Sequence, residues 1–174
     1  MASSWSGMRK ILEQENICDS LRGRIQYFVT RYRGSHDAVS RVAIRVDGGE
    51  IIRSNYYDWD AKRRQAWAGM PEERPWRNDE ARVRGEREAV DRGGFDRDVF
   101  YAAFAFYRDH SITECLQSPD AVVRLFAILD RRVGKRRLAT IARQIGDQPQ
   151  WLQFFYRLRL DGEGIPTDVE MPVP

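Results

Sequence analysis

The stretch from Arg24 to Tyr57 constrains the fold most, because its apolar residues recur with a period of two and a glycine turn interrupts them. Arg24 to Arg33 reads RIQYFVTRYR, with Ile25, Tyr27 and Val29 on one face and Phe28, Thr30 and Tyr32 on the other. β-Branched and aromatic side chains dominate it, as a pleated, half-buried surface prefers. Gly34-Ser35-His36-Asp37 breaks the pattern as a loop. Arg41 to Asp47 is a second strand, with Val42, Ile44 and Val46 opposed to Ala43 and Arg45. Asp47-Gly48-Gly49 tolerates positive φ and reads as a tight turn, so Glu50 to Tyr57 returns as a third strand. The result is a three-stranded antiparallel meander with one apolar face that something else must cover.

The flanking sequence supplies helices for that purpose. Residues 3–17 read as an amphipathic helix with serine N-caps and an apolar stripe through Trp5, Met8, Ile11 and Leu12. From Phe95 onward the period changes to that of a helix. Asp96 caps a helix to about Asp109, with Val99, Phe100, Ala103, Phe104 and Tyr107 inward. Ser111 and Glu114 form a capping box ahead of Cys115 and Leu116. Ser118-Pro119 opens a helix carrying Val122, Leu125, Phe126, Leu129 and Val133, which Gly134 ends or bends. Two more helices follow, through Leu138, Ile141 and Ile145, and from about Pro149 to Leu160. Residues 58–94 are dense in opposite charges and poor in large apolar residues, so they read as a charged excursion or insertion with one or two short helices, anchored by Trp67 and Trp76. Strands first and helices after them give the α+β class: a meander, an N-terminal helix and a C-terminal helical cluster. One domain spans residues 1–160, and residues 161–174, with Gly162, Gly164 and three prolines, read as a flexible tail.

A chain of 174 residues is long enough to bury a core without staples. Cys18 and Cys115 belong to no Cys-x-x-Cys pair and read as reduced, buried, small hydrophobes. No apolar run follows Met1 to Trp5, and no stretch approaches a membrane span, so the expected location is the cytoplasm, with no membrane partner. Of 29 basic residues only Lys10, Lys62 and Lys135 are lysine. Arginine suits planar, bidentate contacts with phosphate or carboxylate, but a GC-rich genome produces the same bias. A net charge of +3 is too small to imply nucleic-acid binding alone.

Three stretches carry a likeness: SLRGRIQYFVTRYRGSHD (20–37), VDGGEI (46–51) and LDRRVGKRRL (129–138). On them the chain resembles a family of small bacterial proteins with the same order of elements and no assigned activity. The likeness covers both ends and omits residues 58–94. It implies the order of the fold and a bacterial, cytoplasmic origin, and nothing about chemistry.

The leading site is the basic cluster Arg131, Arg132, Lys135, Arg136 and Arg137, five cations in seven positions around Gly134. Two structural explanations compete with a phosphate- or nucleic-acid-binding patch. Cations at a helix C-terminus are favourable by about 0.3–1 kcal/mol each, and the acids of residues 72–91 could pair with them. The patch could extend to Arg143, Arg157 and Arg159, and on a helix Arg132, Arg136 and Arg143 would share a face. The second site is Arg31 and Arg33, alternate on one strand, with Tyr32 for stacking. Cross-strand pairing, for example of Arg31 or Arg45 with Asp47 or Glu50, is the structural alternative.

Catalytic candidates are sparse. His36-Asp37 are adjacent, which rarely lets side chains meet, and His110 near Glu114 and Cys115 fits a helix end better than a Cys–His pair. Asp58 and Asp60 fit a strand-end turn or helix cap. The two histidines and two cysteines do not match metal-ligand spacing, and no phosphate-loop, dinucleotide, nucleophile-elbow or zinc-protease motif is present, so no cofactor is expected. Five tryptophans suit either an interface or a core. The expectation is a non-enzymatic interaction or regulatory protein whose Arg-rich surfaces contact a nucleic acid or an acidic protein. The rival is an enzyme of unrecognised type acting on a phosphorylated or anionic substrate near His36 and Asp37.

Overall fold

The structure is a computed structural model and describes residues 4–31 and 39–166. The meander forms as the alternation requires. Strands β1 (Ile25–Arg31), β2 (Ser40–Val46) and β3 (Gly49–Asn55) lie in the order β1-β2-β3, both pairs antiparallel. Ile25 pairs with Val46 and Tyr27 with Ile44, and Ile44 in turn pairs with Ile52. The turn between β2 and β3 uses φ +51° at Asp47 and +83° at Gly48. A register shift at Ile44/Arg45 leaves Ile51 as the extra residue of β3, the mark of a bulge. Tyr32, Arg33, His36 and Asp37 lie outside the described residues.

Helix α1 (Trp5–Lys10) is capped by Ser4 and continues as one π-type turn to Glu15. That turn brings Glu13 to the free edge of β1, where its Oε1 accepts the Tyr27 N–H at 2.7 Å. An edge donor that would otherwise invite another strand is thereby occupied. The buried face of the sheet meets α4 (Arg97–Asp109) and α6 (Ala121–Leu129). Tyr27, Phe100 and Phe126 interlock there, with ring centroids 5.1 to 5.9 Å apart. α5 (Ile112–Leu116) carries the expected capping box, and α7 (Lys135–Ile141) leads through a 3₁₀ turn to α8 (Gln150–Gly162). Cys18 and Cys115 are both buried and free.

Several boundaries differ from the sequence expectation for identifiable reasons. β3 stops at Asn55 because that side chain accepts the Asp58 N–H at 3.0 Å and caps α2 (Tyr56–Ala68). Pro119 does not start α6; Asp120 is its cap, accepting from Val122 N at 2.7 Å and Val123 N at 3.4 Å. α6 ends at Leu129, so Val133 is buried in a turn rather than on the helix. The charged excursion holds two helices of 13 residues, α2 and α3 (Asp79–Asp91), packed side by side. Their contact depends on residues a hydrophobicity pattern ignores. Trp67 lies so close to Gly85 that a Cβ there would sit 2.2 Å from the indole Nε1.

Candidate anion-binding surface

The segment between α6 and α7 is pinned to the N-terminal region by main-chain bonds. Cys18 N donates to Leu129 O at 2.9 Å, and Arg131 N donates to Asn16 O at 2.8 Å. Between them Asp130 is buried. Its carboxylate accepts the Tyr107 hydroxyl, the Arg132 main-chain N–H at 2.7 Å, and the Arg132 guanidinium through Nη2 at 2.7 Å and Nε at 3.0 and 3.1 Å. Tyr107 also accepts from Asn16 Nδ2 at 3.0 Å. Burial pushes the Tyr107 hydroxyl up, with the Asp130 charge adding to it, and the hydrogen bonds to Asp130 raise Arg132 in turn. Arg132 is therefore bound to a buried carboxylate rather than a free contact.

The other cations of the cluster separate by burial. Lys135 donates to Glu163 O at 3.3 Å and reaches its carboxylate at 3.9 Å. Arg157 and Arg159 are buried, which removes them from the surface patch. Arg159 holds Glu163, Ser20 Oγ at 3.4 Å and Val133 O at 3.1 Å. Arg131, Arg136, Arg137 and Arg143 are exposed, and among the described residues their side chains meet no hydrogen-bond or ion-pair partner.

Two structural explanations of the cluster do not fit this geometry. Gly134 is the N-cap of α7, so Lys135, Arg136 and Arg137 occupy its first turn, and no acid accompanies them. That end of a helix disfavours cations. Among the described residues no acid of α2, α3 or their connection pairs with the cluster: Arg84 holds Glu72 at 2.7 Å, Arg82 holds Glu86 at 3.0 Å, Arg92 holds Glu88, and Asp91 lies 3.8 Å from Arg124 of α6. The single-face stripe does not form either, since Arg132 precedes α7 and Arg143 lies in the 3₁₀ turn after it.

Arg31 is exposed at the end of β1, opposite Ser40. The cross-strand pairs that form join Glu50 to Arg41, and to Arg45 at 3.8 Å. His110 stacks flat on Phe106 at 3.7 Å, with its Nδ1 2.8 Å from Phe106 O. Cys115 Sγ faces the carbonyls of Tyr107 at 3.7 Å and His110 at 3.9 Å, and burial pushes its thiol up, away from a nucleophilic thiolate. Asp60 receives Arg63 and Arg64, and Asp58 sits in the first turn of α2. Among the described residues no three His, Cys, Asp or Glu converge as metal ligands, and no helix is long and apolar enough to cross a membrane.

Sequence reasoning missed a feature on the excursion. Trp59, Arg63 and Trp67 recur every four residues on α2 and stack as a ladder, with Arg63 4.3 Å from the Trp59 ring and 4.6 Å from the Trp67 ring. Trp76 adds an outer rung, 6.4 Å from Trp67 and tilted by 53°. The four-residue spacing was visible, but helical amphipathicity is carried here by indoles and guanidinium rather than by aliphatic residues.

These features define a small α+β protein with a cationic segment around α7. The chain belongs to the SF0329 protein family, whose model matches residues 4–160 and so includes the 58–94 excursion. No curated protein and no solved structure matches it.

Proposed function

We propose that this protein is a binding protein that contacts the phosphate backbone of a nucleic acid through Arg131, Arg136, Arg137 and Arg143. The observation that carries this reading is the first turn of α7, where three cations sit at the helix end that disfavours them. Lys135 reaches Glu163, but for Arg136 and Arg137 local stability gives no reason for the placement and neither do ion pairs, since those two have none among the described residues. Residues 131–146 contain six Lys or Arg and no Asp or Glu, in a chain whose net charge is +3, so the remainder is net negative. Asp130 and Glu163 offset Arg132 and Lys135, and the four remaining arginines gathered on one segment attract a polyanion and steer its approach.

The test is retention of a mixed pool of short RNA and DNA by the purified full chain at low and moderate salt. Salt-sensitive retention that Arg136→Glu with Arg137→Glu abolishes supports the reading. No retention at low salt removes it, and capture of an acidic polypeptide instead would make the partner a protein.

A further inference from the structure

We propose that the cleft beside Trp76 is a stacking site for an unpaired base of a single-stranded nucleic acid, a proposal that rests on the nucleic-acid reading above and adds strand preference to it. The cleft, about 490 Å³, lies between the C-terminal half of α2 and the connection to α3, lined by Arg63, Arg64, Trp67, Trp76 and the carboxylates of Glu72, which Arg84 holds at 2.7 Å, and Glu73 among others. Its size falls within the roughly 300–1,000 Å³ of small-ligand sites. The ladder that forms one wall is fixed from behind. Asp60 holds Arg63, Glu86 of α3 lies 3.9 Å from its guanidinium, and Gly85 lets Trp67 lie against α3. Trp59 and Trp67 sandwich Arg63, and Trp67 has Arg63 and Trp76 beside it; Trp76 is the end of the ladder.

Trp76 is 53% exposed, although Pro75 beside it is buried and anchors the turn. A large apolar ring exposed on an anchored turn offers a flat face on which a planar group can stack. The partner's chemistry follows from the neighbours. Arg74 and Arg77 flank Trp76, both are exposed, and among the described residues neither side chain has a partner. Arg64, 74% exposed at the cleft wall, keeps its Nη groups toward solvent while its Nε is held by Asp60 at 2.6 Å. An aromatic face between guanidinium groups is the chemistry that recognises single strands: a base stacks on the indole while adjacent phosphates meet the arginines. A duplex keeps its base faces stacked internally and offers only the phosphates.

The experiment titrates the full chain with a short single-stranded oligonucleotide and with the same sequence as a duplex, following tryptophan fluorescence. The single strand is expected to quench fluorescence and the duplex to do so weakly. Trp76→Ala should weaken single-strand binding at least about fivefold, the lower end of what one stacked base contributes. Trp76→Phe should recover part of that loss. An unchanged urea midpoint for Trp76→Ala checks the fold. Equal single-strand binding by the wild type and Trp76→Ala would overturn the cleft and leave the α7 surface standing. Loss in Trp76→Ala with no loss in Arg136→Glu/Arg137→Glu would keep the cleft and overturn the α7 surface. Binding of neither nucleic acid at low salt would overturn both.

Discussion

Asp130 has no exposed side-chain surface, and its partner Arg132 is half exposed. Removing one partner of such a pair is asymmetric. Arg132→Ala leaves a buried carboxylate with only the Tyr107 hydroxyl and a main-chain N–H, which should cost about 3 kcal/mol. Arg136→Ala and Arg137→Ala, which break no contact, should each change stability by less than about 0.5 kcal/mol. Urea midpoints of the three variants check this, and equal midpoints would contradict the division of the cluster into structural and free arginines. Gly85 makes a second case. In an open helix Gly→Ala stabilises by about 0.5–1 kcal/mol. At position 85 the new Cβ would meet the Trp67 indole at 2.2 Å, so Gly85→Ala should destabilise by about 1–3 kcal/mol. A stabilised Gly85→Ala would mean that Trp67 does not lie against α3. The sequence could show that residues 131–137 are basic, but not that Arg132 turns inward, because the carboxylate that captures it is positioned by Tyr107 and Asn16, far away along the chain.

Helix α2 is held to itself by charge as well as by stacking. Burial pushes the Asp60 carboxyl up, but hydrogen bonds from Arg63 and Arg64 override it and hold the group below its ordinary 3.8. The folded value therefore lies below the unfolded one, and protonation favours the unfolded chain. This contribution is whole above about pH 4 and is lost as pH falls through the folded value. Asp60→Asn should make the fall in urea midpoint below about pH 4 shallower than in the wild type; an unchanged acid limb would show that the Arg63 and Arg64 bonds do not persist in solution. The strands were legible because period-two alternation and Asp47-Gly48-Gly49 are local signals that tertiary packing then reinforced. α4 and the capping box at Ser111 and Glu114 were legible for the same reason. The polarity of the basic helix was not. Gly134 serves equally as a helix end or a helix start, and only Asp130, drawn into the core, decides that α6 has already finished and α7 begins. The excursion was read as one or two short helices rather than two of 13 residues because, Val90 apart, these helices bury Ala66, Ala81, Gly85 and Ala89, small residues that leave no wide apolar stripe.

At the scale of the whole molecule, charge is sorted. Most arginines of α2, α3 and the sheet are matched to nearby acids, whereas in residues 131–146 only Arg132 and Lys135 are, to Asp130 and Glu163, and Arg131, Arg136, Arg137 and Arg143 meet none among the described residues. A uniform surplus of +3 would give a weak field everywhere; the observed distribution instead gathers four unmatched arginines in one segment. Sorted charge predicts a specific salt response. Each duplex phosphate neutralised releases counterions and contributes about −0.9 to the slope of log affinity against log salt. Contacts from the four free arginines 131, 136, 137 and 143 bound that slope at roughly −3 to −4 for a duplex. Arg136→Gln should make it shallower by about one and weaken binding similarly on unrelated sequences, because a phosphate contact carries no base information. Arg53→Gln removes the same charge from the exposed side of β3 and should leave the slope unchanged. Filter-binding isotherms at four or five salt concentrations separate these cases. Equal shifts for Arg136→Gln and Arg53→Gln would mean that net charge alone attracts the polyanion, and that the segment around α7 is not where it docks.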